Sequence, residues 1–219
     1  MRPADAWPLF DLRIRTERLE LLLPTDDQLA ELVAVALEGI HPPEEMPFGV
    51  AWTDVPSPKL ERSFVQHHWH ARATWSPEQW NLHLAIIRRD DGRLMGSQTI
   101  TAREFPTLRQ FGTGSWLGKG FQGQGYGKEM RSAVLGFAFE HLGAEVAESE
   151  AFLDNAQSAG VSRALGYREN GISRHAPRGE PRDTQRFRMT VADWRSRARP
   201  AIEVLGLDAC RDLFGLPQP

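Results

Sequence analysis

The feature that most restricts the fold is a glycine-rich segment in the middle of the chain. Residues 118–127 read Gly-Lys-Gly-Phe-Gln-Gly-Gln-Gly-Tyr-Gly, between a β-rich stretch (Gln110 to Leu117) and an amphipathic helical pattern that includes Met130 and Val134. An ordinary connection needs one glycine at most, and a flexible loop is therefore the weaker alternative. Unpaired N–H groups at a helix start, together with the helix dipole, attract anions. The segment predicts a phosphate-binding loop.

Two common phosphate-binding motifs do not fit this segment. Gly118 to Gly123 formally matches the dinucleotide pattern GxGxxG, but that pattern normally follows the first strand of a βαβ unit, and several β-rich stretches come first here. A Walker loop fails because Gln122 occupies its first glycine position and Glu129 its Ser/Thr position.

A third pattern fits the segment and a second one fits the region after it. Gln122 to Gly127 matches the (Q/R)xxGx(G/A) motif of the GCN5-related N-acetyltransferases. About thirty residues later, Asn155-Ala156-Gln157-Ser158 followed by Leu165-Gly166-Tyr167 is similar to the second signature of that family. Arg15 to Leu19 resembles the first strand of its ribosomal-protein acetyltransferase branch. The resemblance extends from about residue 15 to residue 190.

This resemblance implies an α+β, three-layer fold, in which a mixed, mostly antiparallel central sheet has helices on both faces. It divides the chain into an N-terminal extension (1–14), an acyltransferase domain (15–198) and a tail with a short helix (199–219). The residues agree in part, since the stretches Leu82 to Arg88 and Leu94 to Ala102 flank an Asp-Asp-Gly turn typical of an antiparallel hairpin. Further helices are expected at about 26–40, 60–75, 155–165 and 193–199, and further strands at 18–23, 146–153, 168–175 and 184–189.

The resemblance also implies an acyl-CoA donor, either acetyl-CoA or succinyl-CoA. Backbone N–H groups of the loop would hold the pyrophosphate, and the end of the preceding strand would pair with the pantetheine amides. The residues expected to bind the cofactor are Trp116, Leu117, Gln122, Gly123, Gln124, Gly125, Tyr126, Gly127, Lys128, Asn155 and Ser158.

The implied enzyme is an N-acyltransferase in which a primary amine attacks the thioester directly. Such a reaction needs a neutral amine and a proton for the departing thiolate. Ser158 and Tyr167 match family positions near the thiol and are the candidate acids, although Ser158 could instead only cap its helix. Glu104 is the preferred base, with Glu148, Glu150 or water as alternatives.

An arginine-rich sector suggests an anion near the last third of the chain. Residues 163–199 contain ten arginines and four acidic residues, whereas the whole chain has a net charge of −3. If the acyl group is dicarboxylic, its second carboxylate requires a cation, and the candidates are Arg109, Arg174, Arg178 and Arg182. The same arginines could meet the 3′-phosphate of CoA, an acidic protein substrate or only solvent. A Pro-rich loop, 41–58, and the helix after it could frame a groove for a protein or peptide amine.

Composition excludes several other classes of protein. The 219 residues suit one domain, and no apolar run reaches the roughly 18 residues of a membrane span. Without a signal-like N-terminus, and with Cys210 as the one cysteine, a cytoplasmic location is expected and disulfides are not. His67, His68 and His70 lack the spacing of a metal site, so no metal is expected.

Two other functions remain open at this point. A non-catalytic acyl-CoA sensor would have the same cofactor loop. A nucleic-acid or ribosome binder would use the arginine-rich sector, but no RNA-binding motif supports it. Tryptophans outside the cofactor half, at positions 7, 52, 69, 75 and 80, suggest self-association as a homo-oligomer, although core packing is their default role.

Overall fold

A computed structural model describes residues 1–217 and contains one nine-stranded sheet in the order β7-β8-β6-β5-β4-β3-β2-β1-β9. The strands are β1 (Arg13–Arg15), β2 (Leu19–Leu22), β3 (Gln79–Arg88), β4 (Leu94–Arg103), β5 (Gln110–Leu117), β6 (Val146–Phe152), β7 (Arg168–His175), β8 (Arg182–Thr190) and β9 (Glu203–Leu205). Neighbouring strands are antiparallel apart from the parallel pair β5 and β6. The expected mixed, mostly antiparallel sheet is confirmed.

Helices cover both faces of this sheet, as expected. They are α1 (Pro3–Ala6), α2 (Asp26–Leu37), α3 (Lys59–Ala73), α4 (Phe105–Leu108), α5 (Tyr126–Gly136), α6 (Ala156–Leu165) and α7 (Val191–Arg195). On one face α2 and α3 pack through Leu29, Leu32 and Phe64, and on the other α5 packs through Met130 and Val134. No helix within residues 1–217 is long and apolar enough to cross a membrane.

The first and last segments of the chain pack into the same core. β9 pairs with β1, and Leu9, Cys210 and Phe214 are fully buried. The expected division at residues 14/15 and 198/199 stays a prediction. Two expectations for the end of the chain were wrong in detail. The helix expected at 193–199 begins and ends earlier, as α7 (Val191–Arg195), and the tail has two 3₁₀ turns, at 208–210 and 212–214, instead of a short helix.

The parallel pair β5 and β6 separates soon after it begins. Gln110 pairs with Val146, and Gly112 with Glu148 marks the last aligned position. Beyond this point β5 stays beside β4 as far as Leu117, whereas β6 stays beside β8. The space between residues 113–117 and 149–152 is called the β5–β6 gap below. A gap of this kind leaves strand edges free to pair with an extended ligand.

Candidate active site

The glycine-rich loop presents free backbone N–H groups at the start of α5. Gly123 and Gly125 have φ values of +75° and +84°, a conformation that L-residues with side chains adopt at a cost. Gly125 is the N-cap of α5 and provides no side chain to cap it. Within residues 1–217, the N–H groups of residues 123–127 donate to no protein acceptor. The loop therefore has the donors that an anion requires.

Side chains fix the shape of this loop without occupying those donors. The Gln122 side-chain amide donates to the carbonyls of Ile40 (2.7 Å) and Leu117 (2.8 Å). Arg18 lies over the Tyr126 ring, 4.5 Å from its centroid, and binds Glu129 in α5 with its Nε 2.6 Å from Oε2. The Gln122 side chain thus acts within the protein, and its backbone N–H donates to the Lys119 carbonyl (3.4 Å), so its contact with a cofactor stays a prediction.

A buried arginine lies beneath the β5–β6 gap, on the α5 face of the sheet. Arg131 of α5 is 4% exposed, and its Nη1 donates to the hydroxyls of Ser149 in β6 (3.0 Å) and Ser162 in α6 (3.2 Å). Its Nη2 donates to the hydroxyl of Ser115 in β5 (3.1 Å). Arg131 therefore connects the two separating strands from below. Burial lowers its pKa, although a guanidinium stays protonated in proteins.

Several buried polar atoms near this arginine have no partner. Arg131 Nε, the Tyr167 hydroxyl and Gln98 Oε1 make no hydrogen bond within the described part of the chain. Gln98 lies opposite Ser115 in the β4–β5 pair and so shares its face. Burial raises the pKa of Tyr167, and the charge of Arg131 partly offsets this rise. We call Gln98, Ser115, Arg131, Ser149, Ser162 and Tyr167 the polar floor.

The first turn of α6 lies next in the chain after β6. The Asn155 side chain accepts the Ser158 N–H at 3.0 Å and caps the helix, so its expected contact with a cofactor stays a prediction. The Ser158 hydroxyl is half-buried and has no hydrogen-bond partner among residues 1–217. It is free to donate to a ligand.

The carboxylates of β6 lie on the opposite face of the sheet from the polar floor. Glu148 is half-buried, occupies the last aligned position before the gap and makes no side-chain hydrogen bond in the described chain. Glu150 accepts hydrogen bonds from His175 (2.8 Å) and Thr184 (3.2 Å). Glu104 is exposed and follows the end of β4. It therefore lies near the start of β5, where β5 and β6 are still paired, and not near the β5–β6 gap. Its role as the base stays a prediction without a supporting contact.

Aromatic and histidine side chains cover the same face of the sheet as these carboxylates, over β5 and β3. Trp116 of β5 lies 5.8 Å from Trp52, measured between ring centroids. The His67 and His68 rings lie 4.7 Å and 5.0 Å from that of His83, and burial lowers the pKa of His68 to about 2 and that of His83 to about 3. Among residues 1–217 no cluster of histidine, cysteine or acidic side chains is arranged to hold a metal ion.

The arginines singled out in the sequence mostly have partners already. Arg178 forms an ion pair with Asp54 (2.6 Å), and Arg182 pairs with Asp154 and donates to the Met46 carbonyl. Arg174 pairs with Asp183 at 3.1 Å, and Arg109 stacks on Phe105. The contacts of Arg178 with Asp54 and of Arg182 with the Met46 carbonyl join the Pro-rich loop to the β7–β8 hairpin. They leave these two arginines poorly suited to bind an acyl carboxylate.

The residue that sequence reasoning missed is Arg131. Its position falls within a predicted amphipathic helix, yet in the structure residues 130–139 are buried without interruption. An arginine within such a run was the available signal, because charged residues are almost never fully buried unless they are paired.

The family is settled by a comparison with known protein families. The model of the acetyltransferase (GNAT) domain matches residues 18–168. The chain belongs to the GNAT acetyltransferase family. GNAT enzymes use a CoA thioester as acyl donor, so the expected family and enzyme class are confirmed.

Solved structures with the same fold agree with this membership. A protein described as a ribosomal-protein-serine acetyltransferase from Vibrio cholerae is 25% identical, with a TM-score of 0.63 over 81% of this chain and 97% of that one. RimJ from Mycobacterium smegmatis, in complex with CoA-disulfide, is 20% identical (TM-score 0.63; 84% and 87% covered). RimL, described as a ribosomal L7/L12 alpha-N-protein acetyltransferase in complex with CoA, is 17% identical (TM-score 0.65; 82% and 97% covered).

Proposed function

We propose that this GNAT enzyme transfers an acetyl or succinyl group from CoA to a primary amine of a protein or peptide. The observation that carries the proposal is the combination of the free N–H groups at residues 123–127 with the β5–β6 gap beside them. The N–H groups suit a pyrophosphate, and the unpaired edge of β5 suits the amides of an extended pantetheine chain. The N–H groups and the strand edge together fit acyl-CoA better than they fit a compact nucleotide.

The chemistry follows from the two faces of the gap. Acyl-CoA supplies a thioester whose carbonyl carbon takes up the amine nitrogen while the C–S bond breaks and sulfur leaves as a thiolate. Glu148 faces the α2 and α3 side, where it accepts the proton that the amine loses. Ser158 in the first turn of α6, and Tyr167 below the gap, are in this proposal the groups that return a proton to the thiolate; both hydroxyls are without a partner among the described residues.

A protein or peptide acceptor is supported by the charge of the acceptor side. Glu148 and Glu150 provide carboxylates next to the gap, which attract an amine that arrives protonated. His68 and His83 lie on the same face of the sheet, and their lowered pKa values keep them neutral near pH 7, so they add no repelling charge to this face. The descriptions of the Vibrio cholerae protein and of RimL name ribosomal-protein acceptors for those proteins, which is in keeping with this proposal.

The test measures free-thiol release from acetyl-CoA and succinyl-CoA with a peptide that has a free N-terminal amine. Glu148→Gln is expected to lower kcat by about 10²–10⁴-fold, the usual contribution of a general base, with unchanged affinity for CoA. Glu104→Gln is the matched control and is expected to keep wild-type kcat.

Each part of the proposal can fail separately. Binding of CoA without thiol release from either donor would favour the acyl-CoA sensor and refute the enzyme. Full activity of Glu148→Gln, or a large loss in Glu104→Gln, would instead return the role of base to Glu104 or to water.

A further inference from the structure

Two arginines of β8 lie beside the carboxylates of β6 without pairing with them. Arg188 stands directly opposite Glu148 in the β6–β8 pair, and Arg186 stands opposite Glu150. Side chains at directly opposite positions share one face of a sheet, with Cβ atoms about 5 Å apart. Within residues 1–217 neither guanidinium forms a hydrogen bond or an ion pair, and Glu150 accepts from His175 instead. Two cations are therefore available next to the carboxylates that border the gap.

The face of the sheet that carries these arginines is open to solvent. The helices α6 and α7 both pack on the α5 face, α6 next to the buried Arg131 and α7 next to the chain that follows α5. On the opposite face Arg188 is exposed and Arg186 is half-buried. The acceptor face is the surface formed by the paired positions of β6 and β8, which are Glu148, Glu150, Arg186 and Arg188.

The Pro-rich loop limits the acceptor face at the end where β8 begins. Trp52 of this loop lies against Trp116 of β5, and the Met46 carbonyl accepts from Arg182, the first residue of β8. The two unpaired arginines lie further along β8, away from these contacts. A peptide whose amine reaches the carboxylate opposite Arg188 therefore has a path for its following residues across the later part of β8.

The charge of this path favours one kind of peptide. A guanidinium is always protonated, so the two arginines repel an acceptor that brings only positive charge and attract one that also carries a carboxylate. Neighbouring strands lie about 4.8 Å apart, and an extended peptide advances about 3.3–3.6 Å per residue. An acidic side chain at the second or third residue of the acceptor is thus within the span from Glu148 to β8.

We propose that Arg186 and Arg188 select acceptor peptides with an acidic side chain at the second or third residue after the reactive amine. The inference rests on the proposed N-acyltransferase function and names the class of acceptor for that site. Arginine suits this role because its planar fork binds a carboxylate through two hydrogen bonds. The acidic side chain takes no part in bond making or breaking; it positions the amine beside Glu148.

The first experiment compares three acceptor peptides that differ only at residues two and three, where they carry glutamate, glutamine or lysine. Thiol release from the acyl donor is measured with the wild-type enzyme. We expect kcat/KM to be on the order of 10-fold higher for the glutamate peptide than for the glutamine peptide, mainly through KM, and lowest for the lysine peptide. Added salt should narrow the difference. Equal kcat/KM for the three peptides, or a preference for lysine, would overturn the inference.

The second experiment assigns the preference to the two arginines. The double variant Arg186→Gln/Arg188→Gln should bring the glutamate-to-glutamine ratio close to one. The control is Arg195→Gln, because Arg195 is also exposed and without an ion pair among residues 1–217 but belongs to α7 on the other face. This control should keep the wild-type ratio. A folded double variant that keeps the wild-type ratio would refute the assignment.

Charge reversal provides a test that does not depend on the double variant. Arg188→Glu changes one exposed side chain and should lower the preference for the glutamate peptide while improving turnover of the lysine peptide. An unchanged order of the three peptides would contradict the contact. Failure of the underlying function looks different, because no peptide would then release thiol. An active enzyme that treats the three peptides alike would refute this inference alone.

Discussion

Acidification should destabilise this protein well above the pH at which its carboxylates titrate, because of two histidines with strongly lowered pKa values, the buried His68 and the half-buried His83. His68 is 4% exposed, and burial lowers its pKa to about 2 and that of His83 to about 3. In the unfolded chain both have a pKa near 6.5. Their contribution to stability is therefore complete above pH 6.5 and is lost as the pH falls from 6.5 toward 3, where the unfolded chain binds more protons than the folded one.

The size of this effect follows from proton linkage. Within that window each histidine lowers the free energy of unfolding by up to about 1.4 kcal/mol for each pH unit of acidification. Together the two histidines therefore lower it by roughly 4 kcal/mol between pH 7 and pH 5. Urea unfolding across this range measures the free energy of unfolding directly. His68→Gln, which removes one titrating group, should lower the slope by about half, whereas the exposed control His70→Gln should keep the wild-type slope.

Two results would refute this reasoning. The first is a wild-type free energy of unfolding that stays level from pH 7 to pH 5. The second is a His68→Gln variant whose pH dependence runs parallel to that of the wild type. Either would mean that the buried imidazoles take up protons without unfolding.

Three further predictions concern the glycine-rich loop, the β5–β6 gap and the Pro-rich loop. Gly125→Ala should lower the free energy of unfolding by about 1 kcal/mol because of its positive φ, whereas Gly120→Ala, in open space with no positive φ, should not, as thermal unfolding would show. Tyr167→Phe removes a buried hydroxyl without a partner, so its thermal stability should be kept or raised while kcat falls; unchanged kcat would exclude Tyr167 as the acid. Asp54→Ala, which frees Arg178, should raise KM for the peptide acceptor more than it changes stability; an unchanged KM would show that this ion pair does not shape the acceptor groove.

Much of the fold could be predicted from local patterns. The Thr25 capping box predicted the start of α2, and the structure shows its reciprocal hydrogen bonds with Gln28. The Asp-Gly turn predicted the β3–β4 hairpin. β9 was missed because a three-residue strand has no periodicity of its own; it forms by pairing with β1 at the edge of the sheet.

The site was predictable where backbone geometry sets it and not where distant side chains meet. The positions of Gly123 and Gly125 indicated the loop because positive φ favours glycine. The grouping of Arg131 with Ser115, Ser149 and Ser162 depends on contacts across 16 to 31 residues of sequence, which no local pattern encodes. The same limit applies to the choice between Glu104 and Glu148 as the base, since only the register of β5 and β6 shows where the gap begins.

A crystal structure of the protein with bound CoA tests the central claim most directly. Pyrophosphate oxygens should lie about 2.7–3.2 Å from backbone nitrogens of residues 123–127, with the pantetheine chain running along β5 inside the β5–β6 gap. Pyrophosphate bound away from those nitrogens, or a pantetheine chain that avoids the gap, would contradict the account.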